Sequence, residues 1–288
     1  MKEPLFTGLA TAMITPFTRE GINFPVFETL IDRQLNAGVR TLVICGTTGE
    51  SASLSAEERI LLISHAVRYA QGRCKIIAGT GTNDTRQSVH LSKMAQDCGA
   101  DGLLVITPYY NKTSQEGLVA HYRAIGEAVS IPIILYNVPS RTGMRIDPET
   151  YKALSQLPNI CGVKEASGDL AMVSRIQSLC DLTVWSGDDA LTAPMLAMGA
   201  QGVISTTSNL MPKPFVALCR AGLMGDFQTC AKIQRELSPV IDAMFCEVNP
   251  MPLKAAMQLS GLAVGDCRPP LCHISAQNQA RLEKILSK

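Results

Sequence analysis

Short apolar segments of strand length alternate with amphipathic segments along most of this chain. Each apolar segment is followed by a polar or glycine-containing turn and then by residues with helical periodicity, which is the pattern of parallel βαβ units. Eight such segments in a chain of this length predict an α/β fold, a closed (β/α)8 TIM barrel, rather than an open doubly wound sheet. They lie near Leu9–Thr15, Thr41–Cys45, Lys75–Ala78, Gly102–Thr107, Ile133–Tyr136, Ile160–Lys164, Leu182–Trp185 and Gly202–Ser205.

The alternation of strands and helices ends near Leu223. We therefore expect residues 1–223 to form the catalytic barrel and residues 224–288 to form a C-terminal helical extension, broken at residues 249–252 and 268–270 by proline. Such an addition more often packs against the barrel or a neighbouring subunit than takes part in chemistry. No G-x-G-x-x-G follows the first strand, which further weakens the dinucleotide-binding alternative.

Helix-start signals agree with this division. The runs Ser55–Glu58 and Thr113–Glu116 have the pattern of capping boxes, and Asp147 before Pro148 suits an N-cap followed by proline at the first helical position. We interpret Asp188 and Asp189 as further N-cap residues.

Lys164 lies in the predicted sixth strand, ICGVKEA, where a lysine is costly. Strand alternation places Gly162, Lys164 and Ala166 on one face and Val163 and Glu165 on the other. Burial disfavours the ammonium form, and a desolvated lysine becomes an amine that can attack a carbonyl. The alternative, a lysine that extends toward solvent at a strand end and pairs with a neighbouring charge, is equally consistent with the strand alone.

Composition narrows the possible functions. The chain has 288 residues and a net charge of +1, which gives no electrostatic case for nucleic acid or an anionic membrane as partner. Without a signal-like N-terminus or a long apolar stretch, we expect a cytoplasmic protein.

The ten cysteines form no C-x-x-C pair and are expected to be buried thiols. The four histidines lie in helix-like segments without ligand spacing, so no metal site is predicted. They are His65, His90, His121 and His273.

Polar residues collect where the predicted strands end, which is where barrel active sites form. A turn such as GTTGES can simply satisfy its own backbone, but it can also present N–H groups to a carboxylate. By itself Tyr136 suits a core aromatic, and Arg141 suits either a surface charge or bidentate carboxylate recognition. The runs are GTTGES (residues 46–51), GTGTN (79–83), TPYYNK (107–112), YNVPSRTG (136–143), KEASGD (164–169), SGDD (186–189) and STTSN (205–209).

Five runs, in this order and spacing, resemble the dihydrodipicolinate synthase family. They are GTTGES, TPYYNK, YNVPSRTG, GVKEASGD and SGDD. That family belongs to the pyruvate-dependent, Schiff-base-forming class I aldolases and lyases, which include N-acetylneuraminate lyase. The resemblance covers essentially the whole chain. It implies a cofactor-free lyase that condenses pyruvate with L-aspartate-4-semialdehyde, the first committed step of lysine and diaminopimelate biosynthesis, in a homo-oligomer built as a dimer of dimers.

The resemblance also assigns roles to individual residues. Lys164 would form the imine with the keto carbon of pyruvate, while Tyr136 would move the proton. Thr47 and Thr48 would hold the pyruvate carboxylate and join a hydroxyl relay, which Tyr110 would complete in a neighbouring subunit. The remaining substrate contacts are Arg141, for the carboxylate of the semialdehyde, and the backbone positions Gly187 and Ile204.

Three alternative functions agree less well with the sequence. A sugar-acid lyase of the same family would lack an arginine at position 141. A catalytically silent barrel that serves as a binding module would be expected to have lost Lys164 or the tyrosines, and a metal-dependent barrel hydrolase is disfavoured by the histidine positions.

One departure from the family concerns regulation. Lysine-inhibited relatives carry two histidines and a glutamate at positions matched here by Ala56, Arg59 and Gln87. We therefore expect weak or absent inhibition by lysine, although the rest of that pattern is kept. The kept residues are Ser51, Ala52, Asn83 and Tyr109.

Overall fold

The computed structural model describes residues 3–287. Eight parallel strands pair in chain order, and the first pairs with the last, so the sheet closes into a barrel. This confirms the predicted (β/α)8 fold. The strands are β1 (Gly8–Ala12), β2 (Thr41–Ile44), β3 (Lys75–Gly79), β4 (Gly102–Ile106), β5 (Ile133–Asn137), β6 (Ile160–Glu165), β7 (Thr183–Ser186) and β8 (Gly202–Ser205).

Helices surround the barrel, because each strand must bury its outward face under an amphipathic element. The barrel helices are α1 (Phe24–Asn36), α2 (Ala56–Ala70), α3 (Thr85–Asp97), α4 (Gln115–Ala128), α5 (Pro139–Thr142), α6 (Pro148–Leu154), α7 (Ala171–Leu179), α8 (Thr192–Ala197) and α9 (Pro212–Leu223). The helices after them are α10 (Phe227–Met244), α11 (Met251–Leu259) and α12 (Ala276–Leu286).

The predicted helix starts are partly confirmed. Ser55 and Glu58 form the expected capping box at the start of α2. The second predicted box, Thr113–Glu116, is wrong, because Ser114 caps α4 by accepting a hydrogen bond from the backbone N–H of Gly117. Asp147 occupies the N-cap of α6 without a side-chain capping bond.

The barrel interior is filled at its N-terminal end. Phe6 stacks on Trp185 with ring centroids 4.8 Å apart, and the indole N–H donates to the Phe6 carbonyl at 3.1 Å. The ring of Trp185 lies against Gly162, where a Cβ atom would be only 2.5 Å from it. Space for a ligand therefore remains at the C-terminal end of the strands, where the polar turns meet.

The residues after α9 are less uniformly helical than expected. Residues 262–275, between α11 and α12, contain no helix or strand, and this segment runs beside the loop after β1, where the Phe17 N–H donates to the Val264 carbonyl at 3.0 Å. The domain boundary after residue 223 falls between α9 and α10 and stays a prediction. Within residues 3–287, no helix is both long and apolar enough to cross a membrane.

Two expectations about single residue types are corrected. His273 lies in the irregular segment before α12, not in a helix. Cys272 beside it is exposed, so the expected burial of the thiols fails there, whereas Cys45, Cys74, Cys161, Cys219 and Cys230 are buried. Pro269 and Pro270 prevent a helix from continuing here, and the residues that follow lie on the surface.

Candidate active site

Lys164 lies near the end of β6 with its side chain inside the barrel and only 5% exposed. Its Nζ atom is 4.3 Å from the centroid of the Tyr136 ring, and it lines a cavity of about 300 Å³. The ion pairs among residues 3–287 join other basic side chains, and Lys164 takes part in none of them. The alternative of a surface lysine paired with a neighbouring charge is therefore not what the structure shows.

Glu165 points to the opposite side of the sheet, as the strand alternation predicts. Its carboxylate accepts hydrogen bonds from the Asn137 amide at 2.9 Å, the Tyr151 hydroxyl at 3.2 Å and the Ser167 backbone N–H at 2.7 Å. Burial, with a contribution from Glu165, raises the pKa of Tyr151. Glu165 thus anchors β6 from outside the barrel while Lys164 faces the cavity.

Tyr136 is on β5, the neighbouring strand, and its Cα is in register with that of Lys164. The residue is 6% exposed. It lines both the cavity of Lys164 and an adjoining cavity of about 370 Å³. A phenol so placed can exchange a proton with a group bound at the lysine.

The GTTGES turn follows β2 and brings two threonines to the cavity of Lys164. Thr47 is half-buried and lines both cavities, whereas Thr48 is 2% exposed. The Thr48 hydroxyl lies 3.0 Å from the Thr206 hydroxyl and accepts a hydrogen bond from the Asn249 amide at 3.0 Å. Sequence reasoning missed Thr206 and Asn249. Thr206 was only one of a run of hydroxyls, and Asn249 looked like a helix break.

Arg141 and Gly187 complete the wall of the Lys164 cavity. Arg141 is exposed on the short helix α5 and lines both cavities, so its guanidinium can meet an incoming anion. At Gly187 a Cβ atom would lie 3.0 Å from the Cγ and Cε atoms of Lys164, so any other residue would displace the lysine. Ile204 lies in the interior cluster with Tyr136 and Trp185, not among the residues of the cavity wall.

Tyr110 stands apart from these residues. It is 92% exposed, its backbone is left-handed with φ 66°, and it lines neither cavity, whereas its neighbour Tyr109 lines the larger one. A left-handed backbone is uncommon for an aromatic residue and directs this side chain away from the barrel. Within one chain, Tyr110 is therefore not part of the site that contains Lys164.

The two aspartates after β7 have different roles. Asp188 accepts a hydrogen bond from the Ala190 N–H at 2.9 Å, which confirms it as a cap. Asp189 is buried, and its carboxylate accepts a hydrogen bond from the Thr207 N–H at 2.7 Å, so its interpretation as a cap is wrong. Burial raises the pKa of Asp189. This carboxyl joins the turn after β7 to the turn that carries Thr206.

Cys45 lines the larger cavity and is a second potential nucleophile. Burial raises the pKa of its thiol to about 12, against the opposing charge of Arg59. Because the thiolate is the reactive form, Cys45 is inert at neutral pH. Lys164 is thus the nucleophile that the geometry favours.

The positions linked to lysine regulation are separated in the structure. Ser51, Ala52 and Tyr109 line the larger cavity. Arg59 is buried under this turn and donates a hydrogen bond to the Ser51 carbonyl, while its Nη1 atom has no hydrogen-bond partner among the described residues. Three further regulatory positions do not line the larger cavity. They are Ala56 on α2, Asn83 before α3 and Gln87 on α3.

A closed (β/α)8 barrel with an unpaired lysine buried in its interior, a facing tyrosine and an arginine at the mouth defines a barrel enzyme that uses an amine nucleophile. The model of the dihydrodipicolinate synthetase family matches residues 5–288. The chain belongs to this family, which confirms the predicted resemblance and the predicted class of enzyme, a lyase.

Individual relatives agree with the family match. The chain is 44% identical to 4-hydroxy-tetrahydrodipicolinate synthase of Acetivibrio thermocellus, over 99% of this chain and 98% of that one. It is 47% identical to the synthase of Nitratidesulfovibrio vulgaris, over 98% of each. The solved dihydrodipicolinate synthase of Aquifex aeolicus superposes with a TM-score of 0.96 at 41% identity, over 98% of this chain and 97% of that one.

Proposed function

We propose that this chain condenses pyruvate with L-aspartate-4-semialdehyde through a Schiff base on Lys164, as a 4-hydroxy-tetrahydrodipicolinate synthase. The observation that carries the proposal is the buried Lys164 amine, which faces Tyr136 in a cavity that Arg141 also lines. The synthase names of relatives that match the whole chain support it.

The proposed reaction begins when Nζ of Lys164 attacks the keto carbon of pyruvate. Loss of water leaves an imine, and loss of a methyl proton converts the imine to an enamine. The enamine carbon then bonds to the aldehyde carbon of the semialdehyde, whose oxygen takes up a proton. Finally the amine of the bound semialdehyde attacks the imine carbon, displaces Nζ of Lys164 and closes the ring. The protonated imine on Lys164 serves as the electron sink, so the scheme uses no metal or organic cofactor.

The other residues of the site receive the roles that the resemblance implies. Thr48 is held by Thr206 and Asn249, which suits a hydroxyl that must present a fixed donor to the pyruvate carboxylate. Thr47 and Tyr136 line the same two cavities, which suits a relay between them. Arg141 binds the carboxylate of the semialdehyde, and Gly187 leaves room for the lysine. Ile204 belongs to the interior cluster that also contains Tyr136, so it can only support the site from below the cavity wall.

A homo-oligomer, built as a dimer of dimers, is part of this proposal because Tyr110 lies outside the site of its own chain. A tyrosine that is 92% exposed on a left-handed turn suits insertion into the site of a second copy. Among similar solved structures, one at 40% identity and TM-score 0.96 is described as a monomeric dihydrodipicolinate synthase variant, so assembly differs between relatives. A cytoplasmic location stays a prediction.

Borohydride trapping tests the nucleophile and the reaction class together. Incubation with pyruvate and borohydride, followed by peptide mapping, is expected to give one three-carbon adduct per chain at Lys164. Lys164→Ala serves as the matched control and should give none while it remains folded. An adduct at another lysine, or no adduct in the unaltered protein, would contradict the proposed mechanism.

A further inference from the structure

A buried ion pair joins the turn after β2 to the C-terminal part of the chain. Oε1 of Glu50 lies 2.6 Å from Nζ of Lys254, with the side chains 1% and 2% exposed. Removing two charges from water costs several kcal/mol per ion, so a pair in this position is weak evidence for stability. The pair instead fixes the position of the turn that contains Glu50.

Glu50 closes the turn that carries the two threonines of the site. Its backbone is left-handed with φ 56°, and its N–H donates to the Thr47 carbonyl at 3.0 Å. The neighbouring Gly49 carbonyl accepts from the Thr15 hydroxyl at 2.7 Å. With its backbone held in this way, the Glu50 carboxylate is directed under the turn and away from solvent.

Lys254 reaches this carboxylate from α11. Its ammonium also donates to the Asp266 carbonyl at 3.0 Å and lies 4.4 Å from the centroid of the Phe17 ring. Asn249, just before the same helix, donates to the Thr48 hydroxyl. Lys254 on α11 and Asn249 just before this helix therefore contact the threonine turn at two residues, Glu50 and Thr48.

Arg268 contacts the turn from a third direction. Its backbone N–H donates to the Glu50 carboxylate at 2.8 Å, and its guanidinium binds both carboxylate oxygens of Glu58 at 2.6 and 2.7 Å. The guanidinium also donates to the Ser53 carbonyl at 3.0 Å. Hydrogen bonds from Arg268 hold the pKa of Glu58 below its usual range. Arg268 thus ties the C-terminal segment to Glu50 and to two residues that follow it, Ser53 and Glu58.

We propose that Lys254, acting through Glu50, is a positioning residue for the keto acid, because it fixes the turn whose threonines receive the pyruvate carboxylate. This inference rests on the proposed function. It assigns the C-terminal extension a part in substrate binding that neither its sequence nor its helical pattern indicates. Lys254 itself lines neither the cavity of Lys164 nor the larger adjoining cavity, so it acts on substrate only through the turn.

Substitution of Lys254 by methionine, with the pyruvate dependence of borohydride trapping as the readout, tests this inference. In Lys254→Met the half-saturating pyruvate concentration is expected to rise by about tenfold or more, because the buried Glu50 carboxylate loses the ammonium that pairs with it and the turn is no longer fixed. The half-saturating semialdehyde concentration, measured at saturating pyruvate, should change by less than about threefold. Lys254→Arg, which keeps the charge, should recover part of the pyruvate affinity.

Lys232→Met on α10 is the matched control, because Lys232 belongs to an exposed pair with Glu236 at 4.0 Å. It should leave both substrate dependences unchanged. If Lys254→Met does not fold, Glu50→Gln breaks the pair with a smaller change of shape and should give the same selective loss of pyruvate affinity.

Equal weakening of both substrates in folded variants, an unchanged pyruvate dependence, or the unfolding of both single variants would overturn the positioning role. Failure of the unaltered protein to trap pyruvate would instead contradict the proposed function, so the two failures can be told apart. Circular dichroism of each variant, measured before trapping, shows whether the variant is folded.

Discussion

Nζ of Lys164 lies against the face of the Tyr136 ring, 4.3 Å from its centroid. The two Cα atoms are in register on neighbouring strands, so the contact follows from the pairing of β5 with β6. The ring orients the lysine, and in the proposed mechanism the hydroxyl serves proton transfer.

These two roles of Tyr136 can be separated. Tyr136→Phe keeps the ring and removes the hydroxyl, so Lys164 should stay in place while turnover falls by about a hundredfold or more. Initial rates measure the turnover, and slow trapping of pyruvate shows that the amine is still present. Tyr69→Phe, which removes a hydroxyl bonded to Asp32 away from both cavities, is the control. Unchanged turnover in Tyr136→Phe would exclude a role in proton transfer.

Arg141 is expected to act on the second substrate. Arg141→Ala should reduce the use of aspartate semialdehyde by about a hundredfold, since a charge-assisted pair to its carboxylate is lost. Imine formation with pyruvate should suffer much less. Arg145→Ala is the control, because Arg145 is exposed and pairs with Asp147 nearby in the chain. Equal loss of both steps would mean that Arg141 supports the site in general.

Tyr110 is expected to act in the site of a neighbouring subunit. Lys164→Ala chains and Tyr110→Phe chains should each be inactive alone, yet a mixture should recover part of the activity. In a hybrid dimer, one site combines an intact lysine with the partner chain's intact tyrosine. Native mass spectrometry can verify that hybrids form. Hybrids that form and stay inactive would refute the shared site.

Free lysine is expected to inhibit weakly or not at all. A lysine effector has two amines, and burying them needs an anionic partner. Gln87 does not supply this negative charge, and the positive charge of the buried Arg59 repels the amines. A titration of initial rate with lysine measures the effect. Half-inhibition below about 1 mM, equivalent to roughly 4 kcal/mol of binding, would contradict the charge argument.

Acid is expected to destabilise the protein through His121. Burial lowers its pKa from 6.5 to about 4, and its Nδ1 atom lies 2.9 Å from the Thr85 hydroxyl. Between these two values the unfolded chain binds the proton more readily, so the stability due to neutral His121 is complete above pH 6.5 and is lost as the pH falls toward 4. This loss should amount to about 3 kcal/mol.

Denaturant unfolding at pH 7 and pH 5 measures this effect. His121→Asn should lose less stability than the unaltered protein over that range, because asparagine does not titrate. His90→Asn, on the exposed side of α3, should behave like the unaltered protein. The same pH dependence in His121→Asn and in the unaltered protein would assign the acid sensitivity to other groups.

Local patterns were enough to predict the eight strands, the capping box at Ser55 and the inward face of Lys164, because hydrophobic periodicity reports which side of an element is buried. They failed where two local signals compete. Thr113 and Ser114 can both cap α4, and the structure uses the one whose hydroxyl reaches the Gly117 N–H.

Sequence by itself determined the barrel, the lysine strand and the family. All three follow from short local motifs and from their spacing along the chain, which can be recognised without the fold. Only the tertiary structure decided that Asn249 holds Thr48 and that Lys254 holds Glu50. These partners are about two hundred residues apart in the chain. Barrel closure and the packing of α11 bring them together, and no periodicity of either segment encodes which distant side chain a buried polar group will meet.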